Sequence, residues 1–346
     1  MNFKSLGIIE MISTLGASLF MLVIAKSGGG VWTLLLGNIF KSAIRTVQLF
    51  RCSRWFPELN YSFKDAKKYI SFGVILALGR SLSYIQLKSD KFFAGRIWHP
   101  SILGLYSFAQ ELSQIPNDKI VSIVNNVSFP AFAKVQNDKS AFNSMYLNIT
   151  KVTSLIIIPL FVGGFFIGED LIMLILDKKW YPMITVFKIL CISQIFTGLN
   201  SINSLVHTAQ GRPKWSLCYN IISTFVMPAS FYLALTKDLN SIITPWISSY
   251  IILTVSWILI TIHKLGITLK QYLFNLSSSL IASSVMCIFL FLIDFYNFSS
   301  FVNSISNKYV YLSSSIIFGA IVYSGIIMLT EKKFIAGLRG LLKKDG

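Results

Sequence analysis

Charged side chains are scarce in this chain, and acidic ones are the scarcest: Asp and Glu supply 14 of 346 residues, and all charged residues together 13%. A typical soluble domain carries about 25% charged residues. Hydrophobic residues instead make up 54% of the chain, and the mean hydropathy is +0.64. This balance excludes an ordinary soluble domain and predicts an all-α, polytopic helical membrane protein.

Cysteine and histidine are also rare, with four and three copies respectively. The cysteines form no C-x-x-C pair, and the histidines are far apart along the chain, so neither a disulfide framework nor a metal site is predicted. A P-loop motif is missing too, because the glycine run Gly28–Gly30 leads into Val31 and Trp32 with no lysine to hold phosphates. We therefore expect no metal, no cofactor and no direct drive by ATP, and the glycine run predicts a tight turn.

The formal net charge of +17 has two interpretations, nucleic-acid binding or membrane orientation. With a cytoplasmic N-terminus, eighteen of the 31 lysines and arginines fall on the N-terminal side of the membrane and six on the other, with seven inside spans. This bias follows the rule that cytoplasmic loops are enriched in positive residues. It predicts a multi-pass protein with both termini in the cytoplasm, and no nucleic-acid partner.

Ten apolar stretches are each close to the ~20 residues that a helix needs to cross a bilayer. They predict transmembrane helices at 6–26, 31–50, 70–95, 102–126, 150–168, 183–206, 215–236, 241–262, 274–295 and 310–330. Residues 129–146 mix apolar and basic side chains and predict a separate helix lying at the cytoplasmic interface.

Two of these predicted spans are unusual because each carries several charges of both signs at membrane depth. The span at 70–95 contains Arg80, Lys88, Asp90 and Lys91. Each such group costs about 2.5–3.5 kcal/mol on insertion scales and therefore persists mainly where it faces a cavity or a partner. On a helix, Arg80, Lys88 and Lys91 share a stripe about 80° wide with Tyr84, and Asp90 lies roughly 100° away from Lys91.

The next span, at 102–126, carries an acidic and amide stripe that includes Glu111, Gln114 and Asp118. Pro116 is expected to interrupt this helix and to open backbone carbonyls toward a cavity. In a purely structural interpretation, Arg80 neutralises Glu111 or Asp118. In a functional one, the two stripes line a water-filled cavity, with cations for an anionic head group and carboxylates that exchange protons or sodium.

Short motifs in the first two thirds of the chain resemble those of polysaccharide flippases of the MOP superfamily, the multidrug/oligosaccharidyl-lipid/polysaccharide exporters. The motifs are GVWTL at 30–34, LGLYSFAQEL at 103–112 followed by Pro116, FPAFAKVQ at 129–136, KW at 179–180 and AQGRP at 209–213. They occur in the family's order over about residues 1–215, whereas the last hundred residues match only in hydropathy.

The resemblance implies two helix bundles around a central cavity. It also implies that relatives have about four helices before the position that corresponds to the start of this chain, so that most of the first bundle is expected to be missing here. The corresponding division is a two-helix remnant of the first bundle at 1–60, a second six-helix bundle at 61–262, and two helices with a basic cytoplasmic tail at 263–346. The resemblance also implies movement of undecaprenyl-pyrophosphate-linked oligosaccharide across the bacterial inner membrane for surface polysaccharide biosynthesis, by alternating access and with an ion gradient.

The function implied by the resemblance assigns roles to the residues of the two stripes. The residues expected to bind substrate are Arg80, Tyr84, Lys88, Lys91 and Gln114, and those expected to couple the ion are Asp90, Glu111 and Asp118. Asp90 falls where members of the family commonly have an aspartate, although Lys88 and Ser89 replace the residues usual before it. The expected partners are a lipid-linked oligosaccharide, membrane lipids and a polysaccharide polymerase complex.

Three other functions remain open from the sequence. A multidrug cation exporter of the same superfamily is disfavoured by the cationic stripe, since it would prefer acidic and aromatic groups. A membrane glycosyltransferase or polymerase usually has a large outer loop, and the longest one predicted here is only about a dozen residues, so we expect no enzyme. An inactive, shortened remnant of a transporter is the third alternative.

Overall fold

A computed structural model of the protein describes residues 3–53, 63–295 and 308–332. Every regular element in these ranges is a helix. The α-helices are α1 (Phe3–Lys26), α2 (Trp32–Ser53), α3 (Phe63–Ile97), α4 (Pro100–Lys134), α5 (Lys139–Ile175), α6 (Ile184–Ala209), α7 (Pro213–Ala234), α8 (Ile243–Ile247), α9 (Ser249–Leu265), α10 (Leu269–Phe295) and α11 (Lys308–Thr330). Two 3₁₀ turns, Lys178–Met183 and Leu239–Ile242, precede α6 and α8.

Seven segments in the described residues are long and apolar enough to cross a bilayer. They lie on α1, α5, α6, α7, α9, α10 and α11. The predicted fold class, an all-α polytopic membrane protein, is therefore confirmed. Helices α2, α3 and α4 coincide with the remaining predicted spans and are 22, 35 and 35 residues long, but they are less apolar. The number of ten spans thus stays a prediction.

The chain divides into two compact units, Met1–Lys68 and Tyr69–Gly346. In the first unit, α1 and α2 pack together through stacked Phe20 and Phe40 rings and an ion pair of 2.9 Å between Lys41 and Glu10. Gly28 and Gly30, with φ of 82° and 48°, make the connection between the two helices. The tight turn predicted for this glycine run is confirmed, because glycine adopts positive φ without a steric penalty.

The second unit is built around α5 and α6, which pack against each other and against most of their neighbours. One core cluster lies around Tyr106, Ile157 and Trp246. A second lies around Phe132, near the C-terminal end of α4, and Tyr146, near the N-terminal end of α5. The three-part division predicted from the resemblance, with boundaries at residues 60 and 262, stays a prediction.

Polar contacts fix the two C-terminal helices α10 and α11 to α5. Lys151 pairs with Glu331 at 2.6 Å, and Ser278 also donates to the Glu331 carboxylate. Farther along, the Tyr323 hydroxyl donates to the backbone oxygen of Leu155 at 2.8 Å. A side chain that satisfies a partner inside the protein does not have to reach water, so such bonds are compatible with membrane depth.

Two local predictions were wrong. Residues 129–146 form no separate interfacial helix: α4 continues to Lys134 and α5 starts at Lys139. Pro116 does not interrupt α4, which runs through it and through Pro130. Membrane helices tolerate proline because neighbouring helices and polar side chains satisfy the freed backbone groups. They also extend past the hydrocarbon, and the 37 residues of α5 span about 55 Å.

Close packing between α5 and α6 depends on Gly198, which is buried. A Cβ added there would lie 2.2 Å from Ile157 Cδ1 and 2.9 Å from Asn117 Oδ1. Ile157 is itself 0% exposed, so its side chain has little room to move away.

We expect the substitution Gly198→Ala to destabilise the protein by about 1–3 kcal/mol, because an extra methyl group overfills this core. The measurement is thermal unfolding of the purified protein in detergent. The matched control is Gly104→Ala, since Gly104 is an exposed helical glycine with nothing within 4 Å of an added Cβ. We expect the control to be neutral or slightly stabilising; equal effects of both substitutions would contradict the packing argument.

Candidate functional site

The most deeply buried acidic side chain among the described residues is Asp90 on α3, which is 1% exposed. Three neutral donors surround its carboxylate. The backbone N–H of Lys91 donates to Oδ1 at 2.6 Å, while the Tyr106 hydroxyl and Gln110 Nε2 donate to Oδ2 at 2.5 and 2.6 Å. Such donors replace part of the hydration that a carboxylate loses on burial.

Helix α4 supplies two of these donors because Tyr106 and Gln110 are four residues apart and therefore share one face. The Tyr106 hydroxyl also accepts a hydrogen bond of 3.0 Å from Trp246 Nε1 on α8. The chain Trp246–Tyr106–Asp90 thus connects α8, α4 and α3 through three side chains that are each at most 5% exposed. We call Asp90, Tyr106, Gln110 and Trp246 the aspartate site.

Aromatic rings enclose the aspartate site. The Trp98 ring meets Tyr106 edge-on with centroids 5.9 Å apart, and Phe231 meets Trp246 in the same way at 5.9 Å. Tyr250 contacts Trp246 on another side at 5.0 Å. These rings make the surroundings of Tyr106 and Trp246 apolar, and a low dielectric strengthens the electrostatic interactions there.

Helix α7 holds α3 beside the aspartate site by binding its backbone carbonyls. Asn220 Nδ2 donates to the oxygen of Gly79 at 3.0 Å, and the Thr224 hydroxyl donates to the oxygen of Leu82 at 3.1 Å. Just after the C-terminal end of α3, Trp98 Nε1 donates to the oxygen of Thr236, which follows α7, at 2.6 Å. The position of Asp90 is therefore set by α7 as well as by α4.

No ion pair reaches Asp90 within the part of the chain that the structure describes. A buried carboxylate that forms no ion pair retains a net negative charge, and neutral donors compensate that charge only in part. The arrangement is thus suited to taking up and releasing one positive charge.

Four of the five residues predicted to bind substrate lie on another face of α3. Arg80, Tyr84 and Lys88 are exposed, and Lys91 is half-buried. The Lys88 ammonium lies 5.9 Å from the centroid of the Tyr84 ring, a weak cation–π contact. The structure therefore brings these four side chains to one accessible surface, which we call the α3 stripe.

The predicted residues of α4 are also accessible. Glu111 and Asp118 are exposed and Gln114 is half-buried. Among the described residues, neither carboxylate pairs with Arg80, so the purely structural role considered for that arginine is not observed. The three acidic residues predicted to couple an ion do not form one cluster, because Asp90 alone is buried.

Sequence reasoning missed the partners of Asp90. Tyr106, Gln110, Ser113 and Asn117 recur at intervals of three and four residues and form the buried face of α4. That spacing is visible in the sequence, but the prediction followed the charged Glu111 and Asp118, which lie on an adjacent face of the helix. Trp246 left no comparable signal, since it lies 140 residues from Tyr106 in the chain.

Beyond the aspartate site, the polar face of α4 continues toward α6. Asn117 Nδ2 donates to Gln194 Oε1 at 2.8 Å, and both residues are buried. Farther along α6, Asn203 Oδ1 accepts from the Tyr146 hydroxyl at 2.9 Å. Buried polar pairs of this kind specify how helices align where apolar packing alone would allow sliding.

Comparison with known proteins supplies independent information. A family model described as "Polysaccharide biosynthesis protein" matches residues 1–185. The lipopolysaccharide biosynthesis protein WzxC of Escherichia coli is 26% identical over 229 residues, which cover 65% of this chain and 46% of that protein. The teichuronic acid biosynthesis protein TuaB of Bacillus subtilis is 24% identical over 268 residues, covering 73% of this chain and 56% of that protein.

A longer match joins the chain to the succinoglycan biosynthesis transport protein ExoT of Rhizobium meliloti, with 23% identity, covering 98% of this chain and 68% of that protein. Among solved structures, the lipid II flippase MurJ in an inward closed conformation is similar, with a TM-score of 0.64 at 14% identity, covering 94% of this chain and 68% of that one. The chain spans about half the length of WzxC and TuaB.

Tyr106 should be essential to the stability of the aspartate site. The substitution Tyr106→Phe removes one donor to Asp90 and the acceptor of Trp246, and we expect it to destabilise the protein by about 1–3 kcal/mol. Tyr84→Phe is the control, because it removes the hydroxyl of a ring that is 65% exposed. Unfolding in detergent, followed by tryptophan fluorescence, measures both; unchanged stability of Tyr106→Phe would show that the buried bonds contribute little.

Proposed function

Since the chain belongs to the family of polysaccharide biosynthesis proteins, we propose that it moves a lipid-linked oligosaccharide, carried on undecaprenyl pyrophosphate, between the leaflets of the membrane. The chain is a multi-pass membrane protein, and the relatives support a location in the inner membrane. The names of these relatives refer to lipopolysaccharide, teichuronic acid and succinoglycan, which are all saccharide polymers. The proposed activity therefore belongs to surface polysaccharide biosynthesis.

The main support for the proposal is that one helix bears two different kinds of charged group, exposed cations and a buried carboxyl. Helix α3 bears exposed cations on the α3 stripe and the buried Asp90 on another face. A cationic surface suits a pyrophosphate-linked substrate, because ammonium and guanidinium groups form charge-assisted hydrogen bonds to phosphate oxygens. A buried carboxyl suits the coupling ion.

In this mechanism Arg80, Lys88 and Lys91 hold the pyrophosphate or acidic sugars, while Tyr84 and Gln114 contact the saccharide. Lysine and arginine differ in geometry here, because the arginine fork grips two phosphate oxygens and the lysines act as mobile point charges. Substrate contacts at an accessible surface are reversible, which a transporter needs at both sides of the membrane.

Asp90 would couple an ion to this movement. Its hydrogen bonds to Tyr106 and Gln110 connect α3 to α4, so a proton or sodium bound at the carboxylate changes that connection directly. Alternating access requires an element with two arrangements whose balance the ion shifts. The junction of α3 and α4 is that element in our proposal, with Glu111 and Asp118 as further acidic groups at its surface.

Two further parts of the proposal, the orientation and the partners, rest on the sequence and on the related proteins. The distribution of lysine and arginine supports a cytoplasmic location of both termini. The partners would be the lipid-linked oligosaccharide, membrane lipids and a polysaccharide polymerase that consumes the delivered saccharide. The protein then acts as a transporter and not as an enzyme.

The α3 stripe is tested by complementation. In a strain that lacks its polysaccharide flippase and that the wild-type chain rescues, we expect the triple substitution Arg80→Gln, Lys88→Gln, Lys91→Gln to lower surface polysaccharide at least tenfold. Losing about 1.4 kcal/mol of binding free energy is sufficient for a tenfold effect. Extracted lipid-linked oligosaccharide should accumulate in the same cells.

The matched control is Lys178→Gln, Lys179→Gln, Lys237→Gln, which removes the same charge from exposed positions outside the stripe. We expect it to retain normal polymer, at an equal protein level in the membrane. A wild-type chain that rescues no flippase-deficient strain would contradict the proposed function, and a normal polymer with the stripe variant would contradict the substrate role.

Asp90 is tested with purified protein in liposomes under an imposed proton or sodium gradient. Wild-type transport of a lipid-linked oligosaccharide should respond to one of the two gradients, whereas Asp90→Asn should not respond, because an amide carries no exchangeable charge. Asp177→Asn is the control, since Asp177 is exposed and lies in the turn before α6. Equal gradient responses of Asp90→Asn and the wild type would exclude Asp90 as the coupling group.

A further inference from the structure

A pocket of about 400 Å³ lies at one end of the second unit, away from the aspartate site. The turn between α4 and α5, the turn between α6 and α7, and the end of α9 converge there. Its lining includes Lys139, Arg212 and Lys264, one cation from each of these three places. We call it the basic pocket. The lysine and arginine distribution predicts that this end faces the cytoplasm.

Local backbone geometry gives the basic pocket defined walls. The Asp138 side chain caps α5 by accepting from the backbone N–H groups of Ser140 and Ala141 at 2.9 and 3.0 Å. Gly266 ends α9 with φ of +75°, and Asn143 Nδ2 ties α5 to the oxygen of Leu265 at 2.9 Å. The pocket therefore results from ordered helix ends.

The charges that line this pocket are all of one sign. No acidic side chain lines it, and in the described residues Lys139, Arg212 and Lys264 take part in no ion pair. The nearby Asp138 carboxylate is engaged as a helix cap. Lys264 lies 4.5 Å above the Trp215 ring, which orients its ammonium group but does not neutralise it. Three like charges around one cavity repel each other, and a bound anion relieves that repulsion.

The chemistry of the lining points to phosphate. Arginine and lysine together bind phosphate oxygens by charge-assisted hydrogen bonds, and the amides of Gln136 and Asn137 add neutral donors at the rim. The N-terminal end of α7, which no side chain caps, contributes its positive dipole at the same place. The Trp215 and Phe142 rings also line the pocket and add apolar surface to it.

We propose that the basic pocket binds a phosphate-bearing anion, either the head group of an anionic phospholipid or a free phosphate compound. Pockets of a few hundred Å³ accommodate ligands of this size. Basic pockets between transmembrane helices on the cytoplasmic side are suited to acidic lipid head groups, which are concentrated in that leaflet. This site is separate from the α3 stripe and from Asp90. The proposed binding of an anion therefore does not depend on the proposed transport function.

Binding is measured on the purified full chain in neutral detergent. Native mass spectrometry counts bound dioctanoyl phosphatidylglycerol, with dioctanoyl phosphatidylcholine as the neutral-lipid comparison, and calorimetry measures binding of inorganic pyrophosphate. We expect the wild type to bind at least one of the two anions and to prefer phosphatidylglycerol over phosphatidylcholine if the source is lipid.

The pocket variant is Lys139→Gln, Arg212→Gln, Lys264→Gln. We expect its affinity for the bound anion to fall at least tenfold, since each lost charge-assisted bond alone is worth about that factor. The control variant is Lys134→Gln, Lys214→Gln, Lys270→Gln, which removes the same charge from exposed positions at the same end but outside the pocket. It should bind like the wild type.

A second variant tests the pocket without removing its basic side chains, so that the test does not depend on the folding of the first variant. Gln136→Glu with Asn137→Asp adds two carboxylates at exposed rim positions without disturbing buried packing, and it should also weaken binding at least tenfold. Selective loss of phosphatidylglycerol identifies a lipid ligand, and selective loss of pyrophosphate a free phosphate compound; either supports the proposal. Absence of binding to both anions in the wild type, or equal losses in pocket and control variants, overturns it.

Discussion

Backbone hydrogen bonding inside the hydrocarbon layer is the constraint on which the rest of this structure depends. Water is absent there, so each peptide group needs a partner within the protein, and long helices supply it. This explains why α4 continues through Pro116 and Pro130 instead of breaking. It also explains why side chains of α7, such as Asn220 and Thr224, bind carbonyl oxygens of α3. Because the helices are continuous, side chains that are far apart in the sequence come to lie next to one another on neighbouring helices.

The same constraint divides the polar side chains into two classes. Those on the inner faces, such as Asp90, Gln110 and Asn117, pair with one another across helices. Those on accessible faces, such as Arg80 and Lys88, form no ion pair in the described part of the chain. The first class aligns the helices, and the second is available to ligands. The proposed function needs both, because a rigid scaffold must present reversible binding groups.

Much of the architecture was predictable from hydropathy, because the length of an apolar stretch is directly related to the thickness of the bilayer. All ten predicted spans fall on helices, and the resemblance to the family is confirmed by its match over residues 1–185. The site was less predictable. Asp90 and the α3 stripe were recognised from residue type, but a buried tyrosine or tryptophan looks like any other apolar residue of a span. Tyr106 and Trp246 therefore remained undetected.

Composition, hydropathy and short motifs were sufficient to establish the class of protein, the approximate position of each helix, the family and the presence of charges in α3 and α4. Helical periodicity fixes the angles between side chains along one helix, yet it does not say which face meets a neighbour. That Asp90 turns inward to Tyr106 while Arg80 stays accessible is a result of how the helices pack. The basic pocket is a further product of tertiary structure, because its three cations come from separate helix ends. Packing between helices joins residues that chain position keeps apart.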